Sequence, residues 1–147
     1  MKRSAGILPY KYIDKELYVY LEHPGGPFWE GIDKWSVVKG EYTHEKAIDA
    51  ARREFYEESG FDIKDELEYL GTFKLKNKLV VMYIVEKDLD VTKMKSGFFK
   101  REFNGTIGEY PEMDEARWFK IDDAYQCIFD RQIRILNKIN LLKNKER

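Results

Sequence analysis

Residues 53–61 read Arg53-Glu54-Phe55-Tyr56-Glu57-Glu58-Ser59-Gly60-Phe61, and they restrict the fold more tightly than any other stretch. Three carboxylates stand at i, i+3 and i+4. At about 100° per residue they fall within an arc of about 100° on one face of a helix. Like charges at this spacing cost roughly 0.2–0.5 kcal/mol per pair. A divalent cation is the natural counter-charge, because Mg²⁺ and Mn²⁺ take hard oxygen ligands and are often shared between carboxylates and phosphates. In a chain with 36% charged residues, a Glu-rich helix face is ordinarily just solvated. Here an arginine precedes the first Glu, and Gly60-Phe61 closes the run. Five specified positions recur by chance in only about one in 10³–10⁴ sequences of this length, which favours a built site over a solvated face.

The chain around this run alternates between two periods. Ser4–Tyr10 and Leu17–Glu22 read as strands, with Asp14-Lys15 as the turn between them. Residues 23–34 are rich in Gly and Pro and read as a loop. Trp35–Lys39 reads as a short strand. Thr43 is placed to cap a helix from about His44 to Ser59, with Gly60 as its stop. On that helix Ile48 and Phe55 are expected in the core, and Ala47, Ala50 and Ala51 allow close approach to a sheet. Leu67–Leu75 and Leu79–Glu86 read as a hairpin turning at Lys76-Asn77-Lys78. Residues 87–96 are polar and charged. Phe98–Phe103 and Arg117–Ile121 read as strands, with a loop over Asn104–Asp114 between them. Apolar residues Ile135, Leu136, Ile139 and Leu142 predict a closing helix over about Arg131–Leu142. Strands on either side of a central helix, with a helix at the end, suit an α/β sandwich.

A chain of 147 residues is one domain by size and long enough to bury a core. A net charge of −1 gives no general attraction to nucleic acid or to a membrane surface, and there is no basic stripe of the kind nucleic-acid binding needs. No apolar run approaches a membrane span, and no signal-peptide pattern opens the sequence. The single Cys127 sits in a helical-looking segment, Tyr125-Gln126-Cys127-Ile128-Phe129, and reads as a buried structural thiol. These features predict a cytoplasmic protein; a monomer and a homodimer both stay open, and the partner is expected to be a small molecule and not a membrane or nucleic acid.

Extended upstream through Lys39-Gly40-Glu41-Tyr42-Thr43-His44-Glu45, the acidic run resembles the Nudix box, G-x5-E-x7-R-E-U-x-E-E-x-G-U, where U is a bulky apolar residue. Glu45 lies eight residues before Arg53, and Arg53, Glu54, Phe55, Glu57, Glu58, Gly60 and Phe61 match in register. Gly40 stands five residues before Glu45 instead of six, so the loop is one residue short. His44 replaces the Gly that often precedes the first Glu, and Val38 stands where many members have Pro. The resemblance covers most of the chain. Ser4-Ala5-Gly6-Ile7-Leu8 looks like the family's opening strand, and His23-Pro24-Gly25-Gly26-Pro27-Phe28-Trp29, Trp35–Tyr42 and Glu109–Asp114 running into Ala116–Phe119 look like one bacterial subgroup, known mostly by prediction as nucleotide pyrophosphohydrolases.

The resemblance implies a Nudix-type α/β/α sandwich, with a mixed β-sheet and the box as a strand-loop-helix unit. It implies Mg²⁺- or Mn²⁺-dependent hydrolysis of a phosphoanhydride in a nucleoside diphosphate linked to another group. The substrate would be a nucleoside triphosphate, a dinucleoside polyphosphate, ADP-ribose or a nucleotide sugar; the opening strand and the Trp-containing loop lean toward the dinucleoside polyphosphate hydrolases. It makes Glu57 and Glu58 metal ligands, Glu54 a further ligand or a base, and the Gly40 carbonyl another ligand. It pairs Arg53 with Glu45 as a brace between loop and helix; direct phosphate binding is the other reading of Arg53. Lys39 is a candidate phosphate contact, or else an exposed surface lysine. Glu112 is the first choice for a general base, with Glu109 and Glu115 as rivals; solvated loop acids are the alternative for all three. Trp29 is the better candidate for stacking a nucleobase, whereas Trp35 is expected in the core. His23 and His44 are read as loop residues. The alternative to an enzyme is a Nudix-fold nucleotide-binding or regulatory module, which the short loop motivates and the intact carboxylates oppose.

Overall fold

The structure, a computed structural model, describes residues 1–144. Strand β1 (Lys2–Ile13) runs into β2 (Glu16–Pro24), then β3 (Val38–Tyr42) and helix α1 (Ala47–Ser59). β4 (Glu68–Leu75), β5 (Lys78–Glu86), β6 (Phe98–Phe103), β7 (Thr106–Pro111) and β8 (Met113–Lys120) follow, and α2 (Ile121–Cys127) and α3 (Ile133–Lys143) close the described chain. Six strands form one sheet in the order β4-β5-β1-β2-β8, with β3 also paired to β1. The β1–β5 pair is parallel and the others are antiparallel, so the sheet is mixed. β6 and β7 form a separate two-stranded ribbon.

Alternation along the strands sends successive side chains to opposite faces, and each face carries its own core. Leu8, Val19, Leu21, Val80, Met82 and Ile84 meet Ala124 of α2 and Ile135, Leu136 and Ile139 of α3. Ala5, Ile7, Tyr20 and Val38 meet Ala50, Ala51 and Phe55 of α1. This is the α/β/α sandwich. Cys127, the last residue of α2, is buried in the core that α3 shares.

Four expectations change. The helix begins at Ala47, not His44: Lys46 is its N-cap in extended conformation, and no side chain caps it. Thr43 through Lys46 are spent crossing from β3 to α1. Ile48 is only half-buried, while Ala50, Ala51 and Phe55 are fully buried. Trp35 and Ser36 make only isolated bridges, to Ile128 and Glu22, so the third strand starts at Val38. The segment Asn104–Asp114 is not a loop. Asn104 and Gly105, both at positive φ (54° and 78°), make a two-residue turn from β6 into β7, and β8 follows after Glu112 alone. Gly60, at φ 80°, ends α1 as its composition predicts.

Candidate active site

Helix α1 lies across β1 and β3, with Phe55 packed on Tyr20. That seating aims the face carrying Glu54 and Glu58 at the backbone of β3. Gly40 pairs with Ala5 of β1, and a Cβ added to it would overlap the Glu54 side chain. Glycine here permits close approach of strand to carboxylate.

The guanidinium of Arg53 is the hub of the exposed half of the site. Its Nε donates to both oxygens of Glu45 (3.0 and 2.9 Å) and its Nη2 donates to Oε1 (2.7 Å). Its Nη1 donates to Glu54 Oε2 at 2.6 Å and to both oxygens of Glu57 at 3.2 Å. The repulsion on this helix face is therefore already offset for Glu54 and Glu57, by Arg53 itself. Glu58 has no such partner. Its Oε2 is buried without a hydrogen bond. Burial, reinforced by the charges of Glu54 and Glu112 and opposed by Lys39, pushes its carboxyl up to about 8.

Lys39 is not an exposed surface lysine. It is largely buried, and burial together with Lys78 lowers its pKa, against the pull of Glu58. It forms the link to a cleft of about 1110 Å³. The cleft is lined by seven cationic side chains (Lys2, Arg3, Lys39, Arg53, Lys76, Lys78 and Arg131) against two carboxylates, Glu41 and Glu45. In a chain of net charge −1, this is a marked local excess of positive charge.

Glu112 is exposed, but its backbone is anchored. Gly97 N donates to Glu57 O, Glu112 N donates to Gly97 O, and Gly25 N donates to Glu112 O, at 2.8, 2.8 and 3.0 Å. The residue is thereby tied to the C-terminal turn of α1, and its charge acts on Glu58. Its rivals point elsewhere. Glu115 is held by Arg117 at 2.6 Å, and Glu109 stands opposite Lys100 on the ribbon. Trp29 packs edge-on against Phe28 and Phe129 and does not line the basic cleft. Trp35 is in the core. His23 is not a loop residue but lies near the end of β2, and it spends its ring nitrogens on Asp114 of β8 (2.8 Å) and on the Ile32 carbonyl (2.6 Å).

One further carboxylate was not foreseen. Glu22, at the end of β2, is 0% exposed. Its Oε2 accepts from the Tyr20 hydroxyl at 2.5 Å, and its Oε1 is buried without a partner. Its carboxyl is pushed well up by burial, with the charge of Glu58 acting in the same direction. The signal in the sequence is a charged residue two places after Tyr20, on the inward face of a strand.

Among the described residues, no three acidic, histidine or cysteine side chains converge on one point as they stand, and Glu54 and Glu57 are both engaged by Arg53 Nη1. The donors nonetheless suit Mg²⁺ or Mn²⁺. All are hard oxygens, and two of them, Glu22 Oε1 and Glu58 Oε2, are buried without a partner, a costly arrangement that a cation relieves.

This arrangement predicts a pH dependence. The Glu58 carboxyl rises from 4.5 to about 8 on folding, so folding favours its protonated form. That stabilisation is complete below 4.5 and is lost as pH rises through about 8. Glu22 acts in the same sense. Exposed Glu41 and Glu45, held low by Lys78 and Arg53, act oppositely but only below the ordinary carboxyl value of 4.5. The metal-free protein is expected to lose thermal stability steadily between about pH 5 and 8, measured by unfolding in EDTA. A flat or rising curve contradicts the burial of Glu58.

Comparison with known proteins agrees with this fold. The family model described as NUDIX domain matches residues 3–138. No curated protein matches the chain in sequence. The NUDIX domain of Shewanella oneidensis NrtR, complexed with ADP ribose, superposes with a TM-score of 0.67 at 14% identity, covering 95% of this chain and 86% of that one. A binary complex of C. elegans Ap4A hydrolase gives 0.66 at 18% identity, covering 97% of each chain. A NUDIX hydrolase from Nitrosomonas europaea gives 0.63 at 19% identity, covering 99% of this chain and 72% of that one. At such identities the structural likeness is one of fold; with a family match over nearly the whole sequence, the chain belongs to the Nudix family.

Proposed function

We propose that this protein hydrolyses a phosphoanhydride bond in a nucleoside diphosphate linked to another group, with Mg²⁺ or Mn²⁺ held by Glu57, Glu58 and Glu54 and by the Gly40 carbonyl. The observation that carries the reading is the buried, unpartnered Oε2 of Glu58 beside Glu54, Glu112 and Lys39. When bound, the metal supplies charge neutralisation for phosphate oxygens and a more acidic water. The residues supply the rest. Glu112 takes the proton of the attacking water as general base. The water oxygen bonds to phosphorus, the anhydride P–O bond breaks, and the charge left on the departing phosphate faces Lys39. Glu45 and Arg53 brace the loop against α1 and hold Glu54 and Glu57 until a metal enters.

Among the candidate substrates, the cations that line the cleft besides the already paired Arg53 favour those with the most phosphate. A nucleoside triphosphate or a dinucleoside polyphosphate fits that charge better than ADP-ribose or a nucleotide sugar. Trp29 remains a base-stacking residue only if it leaves Phe129, so we assign it no primary role.

The test is a nucleotide panel covering all four classes, with Mg²⁺ or Mn²⁺, on wild type and Glu57→Gln. Turnover of at least one substrate is expected, with the variant reduced by about 10²-fold. Absence of turnover above the variant with either metal rejects the hydrolase and leaves a nucleotide-binding module.

A further inference from the structure

We infer that Glu22 is an additional metal ligand of this site, its Oε1 binding the same ion as Glu58; the inference rests on the metal-dependent reading above. The starting point is where β2 puts this residue. Its backbone is locked by reciprocal bonds with Ser36, Glu22 N to Ser36 O and Ser36 N to Glu22 O, both 2.9 Å. Its side chain is locked by the Tyr20 hydroxyl, which donates to Oε2 at 2.5 Å. Tyr20 itself cannot swing away. Its ring is enclosed by Phe55, Phe61 and Trp118 at centroid distances of 5.5, 6.3 and 5.7 Å. The carboxylate is therefore held in place with one oxygen spoken for and the other open.

The open oxygen has no structural explanation within the protein. Glu22 Oε1 is buried and makes no hydrogen bond. Ionised, it is a buried charge with no cationic partner, which costs several kcal/mol in general. Protonated on that oxygen, it is a buried donor without an acceptor, which is also costly. A neutral packing residue at the end of β2 would avoid both penalties. A cation removes them in one step, and the facing group is the right one. Tyr20 of β2 packs on Phe55 of α1; Glu22 lies two residues on along the same strand face, and Glu58, three residues on from Phe55, has its own buried and unpartnered oxygen, with its charge acting on Glu22. Two carboxylates from different elements, each with one buried, unpartnered oxygen, form a donor pair that Arg53 does not occupy, since its bonds go to Glu45, Glu54 and Glu57. Tyr20 then serves as the orienting group behind the ligand, of the kind that fixes metal-binding carboxylates elsewhere.

The experiment is direct Mn²⁺ binding to the full chain without substrate, by calorimetry or by loss of the free-ion electron paramagnetic resonance signal, for wild type and Glu22→Gln. Thermal unfolding in EDTA serves as the folding control. The glutamine variant is expected to bind Mn²⁺ about 10-fold or more weakly, with unfolding in EDTA at the wild-type temperature or above it. A loss of affinity below about threefold overturns the inference. Should Glu22→Gln not fold, a Mn²⁺-soaked wild-type crystal decides through anomalous scattering. A Glu22 oxygen at about 2.1–2.3 Å from the ion supports the assignment; a Glu22 separated from the ion by water or by Glu58 overturns it. Wild type without Mn²⁺ affinity overturns this inference together with the hydrolase reading. Normal wild-type binding with unchanged variant binding overturns this inference alone.

Discussion

Glu58→Gln is expected to lower turnover by about 10²–10³-fold while raising the stability of the metal-free protein. The two effects share one cause. Glu58 is the carboxylate on α1 whose Oε2 is buried without a partner and whose proton affinity is raised by burial and by the neighbouring Glu54 and Glu112. In the absence of metal, folding at neutral pH must either protonate it or bury its charge. Glutamine carries no charge to bury and needs no proton, and the gain at neutral pH is on the order of 1–3 kcal/mol, the cost of taking up a proton above the carboxyl's ordinary range. The gain grows as pH rises toward 8, the upper end of the window in which the wild-type group titrates. With metal present the order reverses, because binding to the native state stabilises only the protein that retains the ligand. Thermal unfolding with EDTA and with Mg²⁺, alongside turnover, checks both halves. A variant less stable than wild type in EDTA at pH 8 would mean that Glu58 serves packing and not a site.

Part of this site was legible in the sequence because helix geometry is local. Glu54, Glu57 and Glu58 share a face by their spacing alone, and Gly60 marks where that face ends. The two-core sandwich was legible for the same reason: period-2 and period-3.6 patterns mark which side chains point inward. What was not legible depends on elements distant in the chain. Glu22 reads as the last residue of a strand, and nothing nearby says that α1 will cover it. Burial of Lys39 requires Glu58, Lys78 and Arg131 to assemble around it from three other segments. In the β6–β7 ribbon only β7 was obscured, since Phe98–Phe103 already reads as a strand. β7 has no buried residue and so lacks the alternation that burial imposes, and the Asn104-Gly105 turn had to carry the signal alone. The contact between Arg53 and Glu57 is a helical i,i+4 pair and was available from spacing. Its consequence was not: Arg53 already balances two of the three carboxylates, which leaves Glu58 as the one whose charge calls for a cation.

Gly40→Ala is expected to cost more in turnover than in stability, and the disparity separates a site glycine from a folding glycine. Gly40 sits in β3 opposite Ala5, without the positive φ that would itself demand glycine. Alanine is therefore compatible with the strand, and the backbone pairing survives. The conflict is with one side chain: an added Cβ overlaps the Cγ, Cδ and Oε1 of Glu54. The Glu54 side chain is only 13% exposed but can change rotamer, so it rotates away at a cost of about 1–2 kcal/mol, within the range for overpacking. Rotating away takes its carboxylate from beside β3 and breaks its bond with Arg53 Nη1, so the hub that positions Glu57 is lost as well. Misplacement of this order in a positioned site lowers turnover by about 10²-fold. Measuring the unfolding temperature and turnover of the same preparation tests the claim. Turnover within a few-fold of wild type would show that Glu54 takes no part in the reaction, and a collapse of stability would show that the β3–α1 contact is a packing seam first.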